Sequence, residues 1–373
     1  MDMSWSRSRQ KWISAQVVFA LFSVLTIAGP TGAASENKIR LGVVSDLLIH
    51  LPLFLAEDKS FFVDEKASVL SETKFGKFRT SVSLINQEVD IILQSTEAYF
   101  ELADLYGADK YKIIGGLTAT SGSVVLAKDP IPDAGFAWKL LRQKRFLGRD
   151  KNSTPMYFLR SVLATNGVDP ANVTFNTTAP VPARARIWRK ERTYDYALFF
   201  EPDASKIIRQ GNGYFAAMLG PAVGKIDSSV FIVRAGFLKS EKNRDLVQRF
   251  MNAMQNSLNA TAIESIDMLA AIASRHSKDS TLGSSRPFPR QDLVSAIKRY
   301  RAIGLWKKDL RIAPKAMTDI QRLIIDGGGT RTKKHRCYKN IVDSRFSRAA
   351  LAKYPSAGRI EKLRNGIVRS ECG

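Results

Sequence analysis

Cysteine is nearly missing from this chain: Cys337 and Cys372 are the only two in 373 residues. There is no CxxC pair, and the three histidines, His50, His276 and His335, lie far apart in sequence. A structural zinc site of ordinary ligand spacing is therefore excluded. The chain also lacks a Gly-x-Ser-x-Gly elbow, which leaves a hydrolytic triad without support. Acidic residues are scarce: 35 Asp and Glu stand against 57 Lys and Arg, for a net charge of +22. The basic residues are spread over the whole chain, which reads as a solvated surface more readily than as a nucleic-acid face. Two clusters stand out near the C-terminus. One is Arg331, Lys333, Lys334, Arg336 and Lys339; the other is Arg359, Lys362, Arg364 and Arg369. Neither has the interleaved aromatics of a single-strand binding surface, and no nucleic-acid partner is expected. Beyond the first 34 residues no run is apolar enough to span a bilayer.

The first 34 residues do hold an apolar run. Arg7, Arg9 and Lys11 precede it, residues 17–28 form it, and Pro30, Thr31, Gly32, Ala33 and Ala34 follow. Positive, apolar, then small is the layout of a secretory signal peptide, and a core of roughly a dozen residues is too short for a spanning helix. Arg7 and Arg9 are split by Ser8, so the twin-arginine signal is not met. The expected product is a soluble periplasmic chain starting near Ser35. In such an oxidising compartment Cys337 and Cys372 are candidates for a disulfide.

The remaining stretch of about 340 residues suits two domains or two lobes. Short apolar runs predict strands at 39–44, 69–70, 89–93, 112–114, 124–127, 145–147, 173–175, 196–200 and 229–234. Helical patterns fall between the early strands and at 151–163, then dominate from residue 241 onward at 244–259, 263–273, 290–303 and 314–325. Alternation of this kind predicts an α/β protein with mainly parallel sheets. The expected divisions are a signal peptide at 1–34, the first part of lobe I at 35–128, lobe II at 129–238, a mostly helical completion of lobe I at 239–355, and a basic tail at 356–373.

Nearly every predicted strand ends in a short polar run: Ser45-Asp46, Gln94 to Glu97, Thr118 to Ser123, Ser153-Thr154 and Glu201. Helix caps and turns use the same residue types. Five such ends on two lobes nevertheless point to a shared cleft, since ligands of open α/β sheets bind beyond the carboxyl ends of the strands.

The order of these elements resembles the solute-binding proteins of ABC importers for nitrate, sulfonate, taurine and thiamine precursors. The resemblance rests on Pro52-Leu53-Phe54-Leu55-Ala56 followed by Phe61-Phe62, on Gln87-Glu88-Val89-Asp90-Ile91, on Ala197-Leu198-Phe199-Phe200-Glu201-Pro202, and on Gly304-Leu305-Trp306. Ser60 and Gln87 stand where that family normally has glycine. The resemblance implies a type II periplasmic binding protein fold, two lobes closing by a hinge on a small polar or anionic solute, and a monomer that docks on a membrane permease without a cofactor. It also implies that Ser45, Asp46, His50, Pro52, Gln94, Ser95, Thr96, Thr118, Thr120, Ser153, Thr154 and Glu201 face the cleft. Asp46, Glu97 and Glu201 near these loops favour a neutral or cationic solute, with Arg149 and Lys151 opposing. Two alternatives stay open. One is an enzyme on the same fold, of a pyrimidine-making or lyase type; the other is a basic surface-binding protein.

Overall fold

In the computed structural model, residues 38–73, 76–179, 181–277, 287–330 and 333–357 are described. The expected signal peptide and most of the basic tail lie outside them. In chain order the first half holds β1 (Lys38–Val43), α1 (Leu51–Asp58), α2 (Phe61–Asp64), β2 (Ser68–Thr73), α3 (Lys77–Ile85), β3 (Ile91–Ser95), α4 (Thr96–Tyr106) and β4 (Tyr111–Thr118). Then come β5 (Ser123–Ala127), β6 (Arg145–Leu147), α5 (Thr154–Thr165), β7 (Thr174–Asn176), α6 (Val181–Lys190), β8 (Tyr196–Phe200), α7 (Asp203–Arg209), β9 (Tyr214–Met218) and α8 (Leu219–Val223). The remainder is β10 (Ser229–Arg234), α9 (Glu241–Ile263), α10 (Ile266–His276), α11 (Arg290–Ala302), α12 (Pro314–Asp326), α13 (Tyr338–Ile341) and α14 (Arg345–Lys353).

The strands form two five-stranded sheets, ordered β2-β1-β3-β10-β4 and β7-β6-β8-β5-β9. In each sheet four strands run one way and a single strand opposes them, β10 in the first and β5 in the second. Those two opposing strands are the ones that enter from the other lobe. β5 follows β4 of the first sheet, and β10 follows β9 and α8 of the second. The central strands β3, β5 and β10 are buried along most of their length, as continuous apolar runs covered on both faces should be.

This topology corrects the sequence-based boundaries. Residues 123–127 were expected in lobe I and belong to the second sheet; residues 229–234 were expected in lobe II and belong to the first. The apolar pattern marks a strand but not its sheet. The lobes are therefore joined by residues 119–122 and 224–228, and these two segments bond to each other: Ile226 N donates to the Ala119 carbonyl and Ser228 N to that of Thr118. Among the elements with no sequence expectation are α6, α7, β9 and α14. α6 carries polar residues on most sides, α7 is short, and β9 is an edge strand without β-branched residues whose Tyr214 and Phe215 stay exposed.

The C-terminal helices do not simply complete lobe I. α9, capped by the Ser240 hydroxyl accepting from Asn243 N, packs Leu246, Val247, Phe250, Met251 and Met254 toward β1, α1 and α14. α10 and α11 instead form a bridge: α10 lies on α1 of lobe I, and α11 lies on α7 of lobe II. α12 forms a second bridge, touching α4 of lobe I and α5 of lobe II. Among the described residues, no helix is long and apolar enough to cross a membrane.

Candidate functional site

Because both joining segments leave from the carboxyl end of one sheet and enter beside the strand ends of the other, the strand ends of the two lobes face a common gap. Ser123 pairs with Phe200 and Ser229 with Ser95, which puts the start of each crossing strand on that same rim. The expected cleft residues lie on or near this rim, but most of them are engaged in holding it together.

In lobe I, His50 is buried; its Nδ1 donates to the Ser45 carbonyl at 3.1 Å, and burial pushes its pKa down to about 4. A neutral imidazole pinning its own loop is a structural role. Pro52 opens α1 in a buried turn, and its carbonyl accepts from the Ser257 hydroxyl of α9. Thr96 donates to the Asp227 carbonyl, Thr118 accepts from Ser229 N at 2.9 Å, and Thr120 donates to the carbonyls of Gly220 and Gly224 at 2.8 Å. All three hydroxyls join the two crossing segments or their neighbours. Ser45 and Ser95 are half-buried, and Asp46 is exposed. Gln94 is different: Nε2 donates to Ser81 Oγ at 3.2 Å, while its buried Oε1 has no partner.

In lobe II, Ser153 donates to the Asp150 carbonyl at 2.6 Å. Glu201 is fully buried. One carboxylate oxygen accepts from Ser205 N at 2.9 Å, and the other from Arg299 of α11 at 2.5 Å. Glu201 thus caps α7 and ties it to the bridge, where Tyr300 also accepts from Glu201 N and donates to the Gly122 carbonyl. Thr154 reaches across the gap and donates to Glu97 of α4. Lys77 of α3 binds Glu97 at 2.6 Å and Glu101 at 2.7 Å, and donates to the Asn152 carbonyl of lobe II at 3.1 Å. Burial pushes Glu97 up to about 7 against the pull of Lys77. Two of the three carboxylates that favoured a cationic solute are therefore met by Arg299 and Lys77.

Two guanidinium groups also lie at this rim. Arg149 follows β6 and lies 4.9 Å over the Phe200 ring. Arg184 of α6 is buried, lies 5.5 Å over the Phe199 ring, and donates through Nη2 to the Leu198 carbonyl at 2.5 Å. Its buried Nε and Nη1 have no partner. Desolvation pushes Arg149 down to about 10. It pushes Arg184 well below the usual guanidinium value, with Arg149 adding repulsion and Asp203 partly opposing. Asp203 faces both guanidinium groups, yet two buried donors of Arg184 remain idle, which is costly in a protein interior unless an acceptor completes them. Among the described residues no three His, Cys, Asp or Glu side chains converge to hold a metal ion. A 310 Å³ surface recess lies elsewhere, between Lys66, Lys242, Asp245, Leu246 and Arg249.

No protein-family model matches the chain. YtlA of Bacillus subtilis, provisionally described as a binding protein, is 24% identical over 340 residues, covering 88% of this chain and 95% of YtlA. The ligand-binding component of an ABC-type import system from Staphylococcus aureus matches with a TM-score of 0.65 at 14% identity, over 86% of this chain and 99% of its own. The periplasmic aliphatic sulphonate binding protein SsuA of Escherichia coli matches at 0.63 and 15%, over 83% and 93%. The chain has the periplasmic binding protein fold. The expected fold class is thereby met. An enzyme shares this binding-protein fold: the desulfurization enzyme DSZB matches at a TM-score of 0.57 and 12% identity, over 85% and 99%.

On this binding-protein fold, the sequence points to the strand-end residues and to Arg149 and Lys151, but not to Arg184. Arg149 is named in the sequence analysis, with Lys151, as opposing the acidic loop residues. Arg184 was missed because α6 itself was missed. Its signal is an arginine four residues before Trp188, on the one face of a basic helix that also buries Ala185. Cys337 is not a free thiol, and Cys372 lies outside the described residues.

Proposed function

We propose that this chain is the extracytoplasmic solute-binding component of an ABC-type importer, and that its solute is a small organic anion held between Arg149 and Arg184. The observation that carries this reading is the pair of idle donors on buried Arg184, beside a second guanidinium at the strand ends of lobe II. Charge-assisted bonds to a carboxylate or sulfonate are among the stronger polar contacts, and a guanidinium fork fits their planar or trigonal oxygens. The fold it shares with import-system binding proteins supports the transport role, and a permease would be its partner. An anion also reverses the preference for a neutral or cationic solute drawn from Asp46, Glu97 and Glu201. The test is a thermal-shift series with alkyl sulfonates, small carboxylates, amines and neutral pyrimidines, because a ligand of the folded state alone raises the melting temperature by mass action. A shift confined to anions is expected. A shift with amines or pyrimidines, and none with anions, refutes the reading.

A further inference from the structure

The end of lobe I remote from the gap carries charge and apolar surface side by side. β4 is eight residues long and has Thr118 at the gap. Its first residue, Tyr111, therefore lies roughly 25 Å away at the rise of a strand. Near Tyr111, α4 ends in Leu105 and Tyr106, which are 52% and 43% exposed. Asp109 and Lys110 follow in an exposed turn. α13 packs against this turn. The Tyr99 hydroxyl lies 3.3 Å from the Ala108 carbonyl oxygen and 3.4 Å from that of Asn340, and Lys112 Nζ donates to the Asn340 carbonyl at 2.6 Å. Asp343 N donates to the Ile113 carbonyl at 2.9 Å, so α13 and the residues after it cover the outer edge of β4. Arg336 N donates to Gln321 Oε1 of α12 at 2.7 Å, and the Tyr338 hydroxyl donates to the Ile312 carbonyl at 2.9 Å. This segment is thereby fixed, and its cations are left on the outside. Lys333, Lys334 and Lys339 are exposed and form no ion pair among the described residues. Arg348 is exposed too, within electrostatic reach of Tyr338. No acidic residue occurs between Asp326 and Asp343. Asp343 is met by Arg345 at 2.6 Å and Asp104 by Arg336 at 2.5 Å, which leaves Asp109 as the exposed carboxylate of this surface.

We infer that this end of lobe I rests on an anionic lipid surface, with its lysines over the headgroup phosphates and Leu105 and Tyr106 entering the interface. A cationic face alone would serve any polyanion. The exposed leucine and tyrosine beside it decide for a lipid. Both bury apolar surface at headgroup level, where a side chain with an apolar body and a polar tip is favoured. A leucine finds no such partner against the phosphates of a nucleic acid. Each lysine or arginine close to an anionic bilayer strengthens association by about fivefold, and salt screens that gain. A few charges with a shallow apolar contact give reversible association and not a permanent anchor. The gap stays open to solution at the other end of the sheet, so the inference holds whichever solute the gap takes.

Vesicle co-sedimentation and hydrogen exchange, on protein purified from its host, test this without reference to any solute. Mixed phosphatidylglycerol–phosphatidylcholine vesicles are expected to carry the protein down, and pure phosphatidylcholine vesicles to leave it in solution. Exchange should slow at residues 105–112 and 333–348 when the mixed vesicles are added. Combining Lys110→Gln, Lys334→Gln and Lys339→Gln should weaken binding by about a hundredfold, at about fivefold per charge. Combining Leu105→Ser and Tyr106→Ser should weaken it by about tenfold and leave its salt dependence unchanged. All five positions are exposed, and thermal melts should show both variants folded. Equal binding to the two kinds of vesicle, or slowed exchange at other residues only, overturns the inference. So does wild-type binding by the triple lysine variant. Duplex DNA that competes with the vesicles, together with no effect of the Leu105 and Tyr106 changes, overturns the lipid in favour of a polyanion.

Discussion

The two sides of the gap use polar residues in opposite ways. On lobe I, Thr96, Thr118 and His50 bond to neighbouring backbone, and each bond fixes a loop or a crossing strand. On lobe II, Arg149 follows β6 over the Phe200 ring, and Arg184 of α6 lies beside the end of β8 with two buried donors that no protein group accepts. The difference separates groups that build the gap from groups that wait for something in it. A polar residue at a strand end says little until its partners are known, because capping and binding select the same side chains.

The largest effect on solute affinity is expected from Arg184→Met. It removes the idle donors and should weaken binding of an anion by about a hundredfold or more, at roughly 1.5–3 kcal/mol per charge-assisted bond. The same change should leave the solute-free protein as stable as before or more so, since replacing a poorly paired buried charge by a well-packed apolar side chain is often neutral or stabilising. Titration calorimetry and thermal melts read the two effects separately. A loss of stability in step with the loss of binding would place Arg184 among the groups that build the gap.

Glu201→Ala sharpens the comparison from the other side. It leaves Arg299 without its carboxylate and α7 without its cap, and should cost on the order of 2–3 kcal/mol of stability. Denaturant titration measures this. Solute preference among anions should be unchanged, because both carboxylate oxygens already have partners inside the protein.

His50 provides a smaller, pH-dependent effect. Its folded pKa of about 4 lies below the unfolded value of about 6.5, so the unfolded chain binds a proton that the folded one refuses. That contribution is intact above about pH 6.5 and is lost as pH falls toward 4, up to about 3 kcal/mol. Melting temperatures of wild type and His50→Asn across pH 4 to 7 should diverge least at the acid end.

The smallest effect on binding is expected at Cys337. A bridge to Cys372, mapped by non-reducing peptide analysis, would close a loop of about 35 residues and contribute a few kcal/mol to stability. Reduction should leave solute affinity unchanged. A change in affinity would bring the C-terminal segment into the account of the gap.

Much of the fold was legible in the sequence because buried strands declare themselves. The runs at 145–147, 196–200 and 229–234 were predicted with the bounds they have. What was not legible depends on long-range pairing: which sheet β5 and β10 join, and that α11 and α12 bridge the lobes. The candidate site shows the same limit. Local polar runs name candidate residues, whereas the state of Glu201 depends on Arg299, 98 residues away. Arg184 matters because the protein leaves its guanidinium incomplete, a property that no local pattern encodes.

Native mass spectrometry of the protein purified from its own host tests the anion site most directly, applied in parallel to the wild type and Arg184→Met. The wild type should carry one small molecule bearing a sulfonate, carboxylate or similar anionic group, and the variant should carry none. A neutral or cationic molecule, or an anion retained in equal amount by Arg184→Met, would contradict the assignment of Arg149 and Arg184 as the solute site.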